Sequence, residues 1–523
     1  MSFFKTVTVT VTEYREPSSE IRNSLTMLAD YLLSVKISNM SAKNISAKTN
    51  KTPVVDIIIL AAGLGTRMKS DLPKVLHRAC GRPMLSILMQ ELDGALDPKS
   101  GARFNIVVGH GREQVIETVQ ALQKSGVIKT PVVFTVQEKQ LGTGHAVKLA
   151  LESPSKADTV AVFNGDLPLF SAQCFAQFLD AHNVAKSAAS LASATIDDAG
   201  QYGRVIRKGK QFVGVVEFKD ANVSQRKIRE YNGGVYLFER ALLDAATKKI
   251  GTKNAQGEFY LPDVFTIARK LKKRIYAHQF DDAMVLAGVN NMRELAEAQR
   301  AMYKRSAQKL MDDGVFLHDP DHTYIAAEVK IGRGTQIGPF TTISGKTVIG
   351  ERVKIGSHCD LTDVSIGDGS VIRNSIVAEK AVIGRDCAVG PMAHFRPGTK
   401  LADNVRVGNF VEIKESTIGS HTNAAHLSYI GDAEIGQNVN LGCGFVTCNY
   451  DGVVRDGKRK HKSVIGNGVF IGSDSQVVAP IEIADGTFIA SGSTVTDSVP
   501  EKDSLVIARP RQVTKPGYAK KYR

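Results

Sequence analysis

KIGRGTQIGPFTTISGKTVIGERVKIG, residues 330–356, carries an aliphatic side chain at every sixth position: Ile331, Ile337, Ile343, Ile349 and Ile355. The count reaches Leu361, slips by one to Ile366 and continues through Ile372. After another slip it runs through Val377, Ile383, Val389, Phe395, Leu401, Val407 and Ile413, and after a break it reappears at Ile465, Ile471, Val477, Ile483, Ile489 and Val495. Glycine often follows the aliphatic, as at Gly332, Gly338, Gly350, Gly356, Gly384, Gly408, Gly466 and Gly472. A period of six sustained this far predicts a parallel β-helix. Each aliphatic points inward and stacks on its equivalent one coil away, so stability comes from stacking rather than from any single coil. The glycines are expected at tight corners that need positive φ.

Polar chemistry gathers where the repeat fails. A long loop, Asn449 to Ser463, interrupts it. Before the loop lie Arg396-Pro397-Gly398, Lys414, His426-Leu427-Ser428-Tyr429, Asn440 and Cys443. A histidine on a β-helix is a solvated face residue, a metal ligand or a general base. His421 is the nearest second ligand, and spacing alone leaves all three readings open. Two cationic clusters feed the formal net charge of +14: Arg455, Lys458, Arg459, Lys460 and Lys462 in the loop, and Arg509, Arg511, Lys515, Lys520, Lys521 and Arg523 at the end of the chain. Such charge suits phosphorylated small molecules or nucleic acid. No interleaved aromatics offer a base-stacking platform, so no nucleic acid partner is expected.

Towards the N-terminus, Leu295, Ala298, Met302 and Leu310 recur at helical spacing. Asn291 is placed to cap the helix, with Glu294 three residues on, and Gly314 to stop it. Ahead of this helix, residues 54–60 form a continuous Val/Ile-rich run of the kind found in buried parallel strands. Ala61-Ala62-Gly63-Leu64-Gly65-Thr66-Arg67-Met68 follows at once, then Pro73-Lys74. Gly63 and Gly65 let backbone N–H groups approach phosphate, and Arg67 and Lys74 bring positive charge. Met68 at the third glycine position excludes the dinucleotide fingerprint, and the missing GK[ST] excludes a Walker A loop. A second apolar run, residues 159–163, ends in Asn164-Gly165-Asp166-Leu167-Pro168. Ligands of open α/β sheets sit at the carboxyl ends of strands. An Asp there either holds Mg²⁺ against a nucleoside triphosphate or is a turn residue that caps a helix.

At 523 residues and 43% apolar, the chain accommodates two large domains. Its six cysteines include no CxxC, as expected of reduced thiols in a cytoplasmic protein. No apolar run is long enough for membrane insertion. Residues 1–53 read as a flexible extension or an early start, with Met40 as an alternative.

LAAGLGTRM with SDLPK, QLGTGHA, YGR, GVNN, RPG, GNFVEIK, AHLSYIGDAEIG and NYDG occur in this order between about Val54 and Arg511. Together they resemble the motifs of the bacterial bifunctional N-acetylglucosamine-1-phosphate uridyltransferase / glucosamine-1-phosphate N-acetyltransferase family. The resemblance implies an α/β protein: an N-terminal Rossmann-like nucleotidyltransferase sheet domain (54–285), a linker helix (286–314), a C-terminal left-handed parallel β-helix of hexapeptide repeats (315–510) and a basic tail (511–523). It implies UTP and N-acetylglucosamine-1-phosphate as substrates of the front domain, and glucosamine-1-phosphate and acetyl-CoA as substrates of the back. In the front site, Leu60, Ala61, Ala62, Gly63, Arg67 and Lys74 would hold the nucleotide, with Lys74 also catalytic as an electrophile on its phosphates, and Gln137, Gly142 and Thr143 would meet its uracil side. Gly203, Glu217 and Asn232 would line the sugar, with Asp166 and Asn290 on Mg²⁺. In the back site, Arg396, Lys414, Tyr429 and Asn440 would bind the sugar phosphate, with His426 as base. Cys443, Asn449, Tyr450, Ser473, Ser491 and Arg509 would meet acetyl-CoA. A homotrimer with acetyltransferase sites between subunits is implied as well.

Some positions depart from the family pattern. Asn164 stands where Tyr is common, Cys443 and Ser491 stand where Ala is familiar, and the loop at 453–462 is longer than usual. Two rivals frame these expectations. A monofunctional nucleotidyltransferase with a structural β-helix would not need His426, Tyr429 and Asn440 together. A non-catalytic scaffold would have lost Lys74 or Asp166.

Overall fold

Val55–Ala61 is an interior strand of a mixed sheet in the computed structural model, which describes residues 54–97, 100–455 and 457–522; the expected extension at 1–53 lies outside them. In spatial order the sheet runs Ile275–Phe280, Ala189–Thr195, Glu230–Glu239, Thr159–Asn164, Val55–Ala61, Arg103–Val108 and Val132–Val136. All pairings along this path are parallel except those of Glu230–Glu239, which is antiparallel to both neighbours. Helices cover both faces. Ile57 and Ile59 enter one apolar cluster and Ile58 another, which is why residues 57–61 are apolar throughout rather than alternating, with Asp56 ahead of them paired to Arg103 and Arg240. Leu60 pairs with Asn164, so the glycine turn and the Gly165-Asp166 step leave the sheet side by side.

The linker helix spans Met292–Asp312. The Asn291 side chain accepts from the Glu294 N–H, and Gly314 ends the helix at φ +92°.

Beyond it the chain winds into a left-handed parallel β-helix of 17- and 18-residue coils. Ile331, Ile349, Ile366, Ile383, Leu401, Ile418, Ile435, Ile465 and Ile483 stack along one face. Three sequence expectations are corrected here. First, the inward residue after Ile372 is Ala378, 2% exposed, whereas Val377 is 47% exposed; the slip falls between Ala378 and Ile383. Second, the repeat does not break after Ile413. Ile418, Ala424, Ile430, Ile435, Leu441 and Thr447 continue it, all buried, and the one insertion is a hairpin of Tyr450–Arg455 and Lys458–Lys460. Third, the glycines that follow the aliphatics are not at positive φ. The left-handed corners are held mostly by other residues, among them Phe340, His358, Met392, Phe410 and Leu427. The glycines are needed because the next coil lies too close for a side chain.

The tightest case is Gly408, where a Cβ would stand 1.7 Å from the Ala425 carbonyl oxygen. Gly408→Ala is therefore expected to cost about 3 kcal/mol or more through overpacking. Denaturant unfolding of the β-helix checks this, and a loss below about 1 kcal/mol would contradict the packing argument.

Candidate functional site

The glycine turn closes under Lys74. Gly65 adopts φ +62°, and a Cβ there would meet the Lys74 Cβ at 2.9 Å. Lys74 in turn pairs with Asp166 Oδ2 and donates to Asn290 Oδ1 at 3.2 Å, while Arg67 Nη2 donates to the same oxygen at 2.8 Å. The four side chains whose sequence positions span residues 67 to 290 thus form one group. Two cavities meet there. One, of 320 Å³, is lined by Leu60, Ala61, Ala62, Gly63, Lys74, Gln137, Gly142 and Thr143; the other, of 500 Å³, by Arg67, Gly203, Glu217 and Asn232. Leu60, Thr143, Asn164, Asp166, Glu258 and Asn290 line both. All the front-site residues expected from the sequence are therefore assembled. Gln140 and Glu258 join them without having been anticipated.

Asp166 does not cap a helix, since the following helix is capped by Ser171. Its Oδ1 is buried with no hydrogen-bond partner. An orphaned carboxylate oxygen beside the Asn290 amide oxygen, at the junction of two cavities, suits a hard divalent cation that completes its shell from phosphate and water. Among the described residues no three His, Cys, Asp or Glu side chains form a metal cage.

Asn232 is fixed by its own turn: its Nδ2 donates to the Tyr236 hydroxyl at 2.7 Å and its Oδ1 accepts from the Gly234 N–H at 3.2 Å. Burial, reinforced by Asp220, Asp263 and Glu258, raises the Glu217 carboxyl from 4.5 to about 7. The folded chain then holds a proton that the unfolded chain has lost between pH 4.5 and 7, so stability falls as pH rises through that window, by about 3 kcal/mol. Glu217→Gln should remove this dependence: more stable than the parent at pH 8, equal near pH 4.5. Denaturant titrations at both pH values test it, and a pH-independent difference would refute it.

In the β-helix, two edges bound the face carrying Ile413, Ile430 and Thr447. Along one edge, His426, Cys443, Ser473 and Ser491 each stand two residues past the stacked residues Ala424, Leu441, Ile471 and Ile489. The candidate base and three candidate acetyl-CoA residues therefore share one ladder. Arg509 joins it, donating to the Ser491 carbonyl at 2.5 Å. His426 is exposed, and its Nδ1 lies 3.3 Å from Asn409 Oδ1 on the preceding coil. With that oxygen as acceptor, Nδ1 carries the proton and Nε2 presents its lone pair. His421 lies three residues past Ile418, at a different corner, and does not join it.

The other edge emits the hairpin. Tyr450 pairs with Lys460, which brings Lys460 back to Lys414. Lys460, then burial and Arg396, push the Lys414 amine below its usual range, with Asp432 opposing. Arg396 stands beside Lys414 on the neighbouring coil and donates to Glu412 at 3.0 Å. Asn449, expected at acetyl-CoA, is buried instead and donates to the Tyr429 hydroxyl at 3.4 Å and to Asp432 at 2.5 Å. Arg396, Lys414 and Tyr429 thus form one cluster that also takes in Asn449, Asp432 and Lys460. Asn440 lies on the preceding face, paired with Asn423, and Tyr450 is 60% exposed.

Comparisons with known proteins bear on the family of the chain. The MobA-like NTP transferase domain family matches residues 57–254, the GMPPB C-terminal domain family 320–392, and the bacterial transferase hexapeptide family 380–415 and 462–497. The bifunctional protein GlmU of Shouchella clausii is 43% identical over 89% of this chain and 98% of its own length. Its counterpart in Exiguobacterium sp. is 44% identical over 89% and 99%, and that in Geobacillus sp. strain WCH70 44% over 88% and 96%. The chain belongs to the bifunctional GlmU family and is a two-activity enzyme of UDP-N-acetylglucosamine biosynthesis, a uridyltransferase and an acetyltransferase.

Proposed function

We propose that the β-helix acetylates glucosamine-1-phosphate with acetyl-CoA, and that the front domain then joins N-acetylglucosamine-1-phosphate to UTP with release of pyrophosphate. The observation that carries the second step is the pair of cavities meeting at Asp166 and Asn290. One is sized and lined for the nucleotide, with Gln137, Gly142 and Thr143 at the uracil side; the other, with Gly203, Glu217 and Asn232, for the sugar. A sugar phosphate in the second cavity would meet a nucleotide in the first at the residues that line both. Lys74 and Arg67 neutralise the charge that builds on the phosphates, and positioning does the rest. Asp166 and Asn290 would hold Mg²⁺, which would supply positive charge against the phosphates.

In the back domain, the sugar's amine attacks the thioester carbon, the N–C bond forms, and CoA leaves. His426 Nε2 takes the amine's proton and can return it to the departing sulfur. Arg396, Lys414, Tyr429 and Asn440 would bind the sugar phosphate, with Asn449 holding Tyr429 in place. Cys443, Ser473, Ser491, Tyr450 and Arg509 would line the CoA path.

A trimer is supported by the same corner. Phe340, Met392, Phe410 and Leu427 are each at least half exposed and in left-handed conformations. Such a conformation costs roughly 1–2 kcal/mol for a non-glycine residue. Met392, Phe410 and Leu427, on successive coils beside His426, form an apolar stripe that a second copy would cover. No described helix is long and apolar enough to cross a membrane, and the six cysteines are unpaired. These facts are in keeping with a cytoplasmic enzyme.

Pure protein given glucosamine-1-phosphate, acetyl-CoA, UTP and Mg²⁺ should form UDP-N-acetylglucosamine, and should stop at N-acetylglucosamine-1-phosphate when UTP is withheld. Formation of UDP-glucosamine in place of the acetylated product would overturn the order of steps. Lys460→Ala should raise the KM for glucosamine-1-phosphate about tenfold, from loss of one charge-assisted contact, and leave that for acetyl-CoA nearly unchanged. A rise confined to acetyl-CoA would instead assign the hairpin to the cofactor.

A further inference from the structure

A cavity of 430 Å³ opens where four segments meet: Arg82 with Ile87 and Glu91 of the helix Met84–Ala95, residues 168–171 just after Asp166, the linker helix at Met302, Arg305 and Lys309, and the first coil at residues 326–331. It shares no lining residue with the two cavities of the nucleotidyltransferase site. Ile87, Leu169, Phe170, Met302, Leu310 and Val329 make its walls mostly apolar.

Its charge is unbalanced. Arg82, Arg305, Lys309 and Lys330 share the lining with two carboxylates, Glu91 and Asp313; outside the lining, Arg82 donates to Gln90 at 2.7 Å and Arg305 pairs with Asp282, and Glu91 already accepts from the Ala172 N–H at 2.9 Å. Arg82 Nε is buried without a hydrogen-bond partner, its nearest paired carboxylate being Glu328 at 3.8 Å. Lys309 and Lys330 form no ion pair among the described residues. A buried N–H without an acceptor is costly, and pockets of this size with apolar walls and a few converging polar groups are typical of small-molecule sites.

We propose that this cavity is a regulatory site for a small amphipathic anion. Its apolar body would lie on Leu169, Phe170 and Met302, and its carboxylate, sulfonate or phosphate against Arg82, Lys309 and Lys330. Occupancy lowers uridylyl transfer. Arg305 Nη1 donates to the Leu169 carbonyl at 2.8 Å, and its Nη2 to Asp282 at 3.1 Å. Leu169 packs with Met84, Val289 and Ala298 in a small separate core. That core lies three residues after Asp166 and one before Asn290, and the Val289 N–H donates to the Asp166 carbonyl at 3.0 Å. An anion that draws Arg305 away from Leu169 loosens the segments that position both oxygens. This coupling rests on the assignment of Asp166 and Asn290; the binding itself does not.

The probe is 8-anilino-1-naphthalenesulfonate, titrated into the full chain and followed by fluorescence. Saturable binding is expected, undisturbed by saturating UTP with Mg²⁺ or by acetyl-CoA. The exposed pair Lys309→Glu/Lys330→Glu should weaken it at least tenfold while leaving both activities without probe at parental levels. Bound probe should lower uridylyl transfer in the parent and not in the double variant, with acetyl transfer unchanged. Absence of saturable binding, displacement by UTP or acetyl-CoA, or equal affinity in the double variant would overturn the site. Binding that depends on the two lysines without any change in uridylyl transfer would overturn the regulation. Failure of the Asp166 assignment shows separately, as full uridylyl transfer by Asp166→Asn.

Discussion

Asp166→Asn is expected to lower uridylyl transfer by roughly 10³-fold or more and to leave acetyl transfer at the parental rate. The substitution keeps the shape of the side chain and removes the charge that Lys74 pairs with and that a divalent cation would neutralise. Electrostatic stabilisation of this kind supplies several kcal/mol at the transition state, and each 1.4 kcal/mol is a factor of ten. Asp166 Oδ1, buried without a partner, is the oxygen whose loss is felt. The β-helix has its own core, distinct from those under the sheet, so the change should not reach His426. Initial rates of pyrophosphate release across a Mg²⁺ titration measure the effect. Parental rate and parental Mg²⁺ dependence in the variant would remove Asp166 from the mechanism.

His426→Ala is expected to lower the kcat of acetyl transfer by roughly 10²–10⁴-fold, the usual contribution of a positioned general base, with uridylyl transfer intact. Attack by an amine on a thioester builds positive charge on nitrogen, and a neutral imidazole lone pair is the group suited to receive the proton. Asn409 on the coil before holds the ring by its other nitrogen. Asn409→Ala should therefore lower kcat less than His426→Ala and shift the pH profile of acetyl transfer, which mere packing would not do. If His426 only packs at a subunit contact, its removal would weaken the trimer and leave kcat nearly intact. Measuring oligomeric state with both rates separates the two.

The β-helix was legible because stacking demands a large aliphatic at each inward position, and most coils supply one. It became illegible where the inward residue is small or polar. Ala378 and Ala424 escape a count of aliphatics, and Thr447 is tolerated inside because its hydroxyl accepts from the Gly431 N–H at 2.7 Å and donates to the Gly431 carbonyl at 3.0 Å. The corners misled for a different reason. Glycine suggests positive φ, but here the stacking distance excludes a Cβ, and the left-handed sites carry Phe, Met and Leu. In the front site, the glycine turn and the Gly165-Asp166 step announced themselves because each follows an apolar strand. Glu258 gave no such signal, since it reaches the cleft from an irregular segment. Lys460 gave no signal of its neighbour, because its place depends on the hairpin register that returns it to Lys414.

The central claim is that one chain carries two independent sites used in sequence, and mixing the two variants tests it most directly. Asp166→Asn alone should convert glucosamine-1-phosphate to N-acetylglucosamine-1-phosphate and stop; His426→Ala alone should leave glucosamine-1-phosphate largely untouched. Supplied together with acetyl-CoA, UTP and Mg²⁺, they should form UDP-N-acetylglucosamine through release and recapture of the acetylated intermediate. A mixture that makes no more product than either variant alone, each still active in its remaining step, would contradict the account.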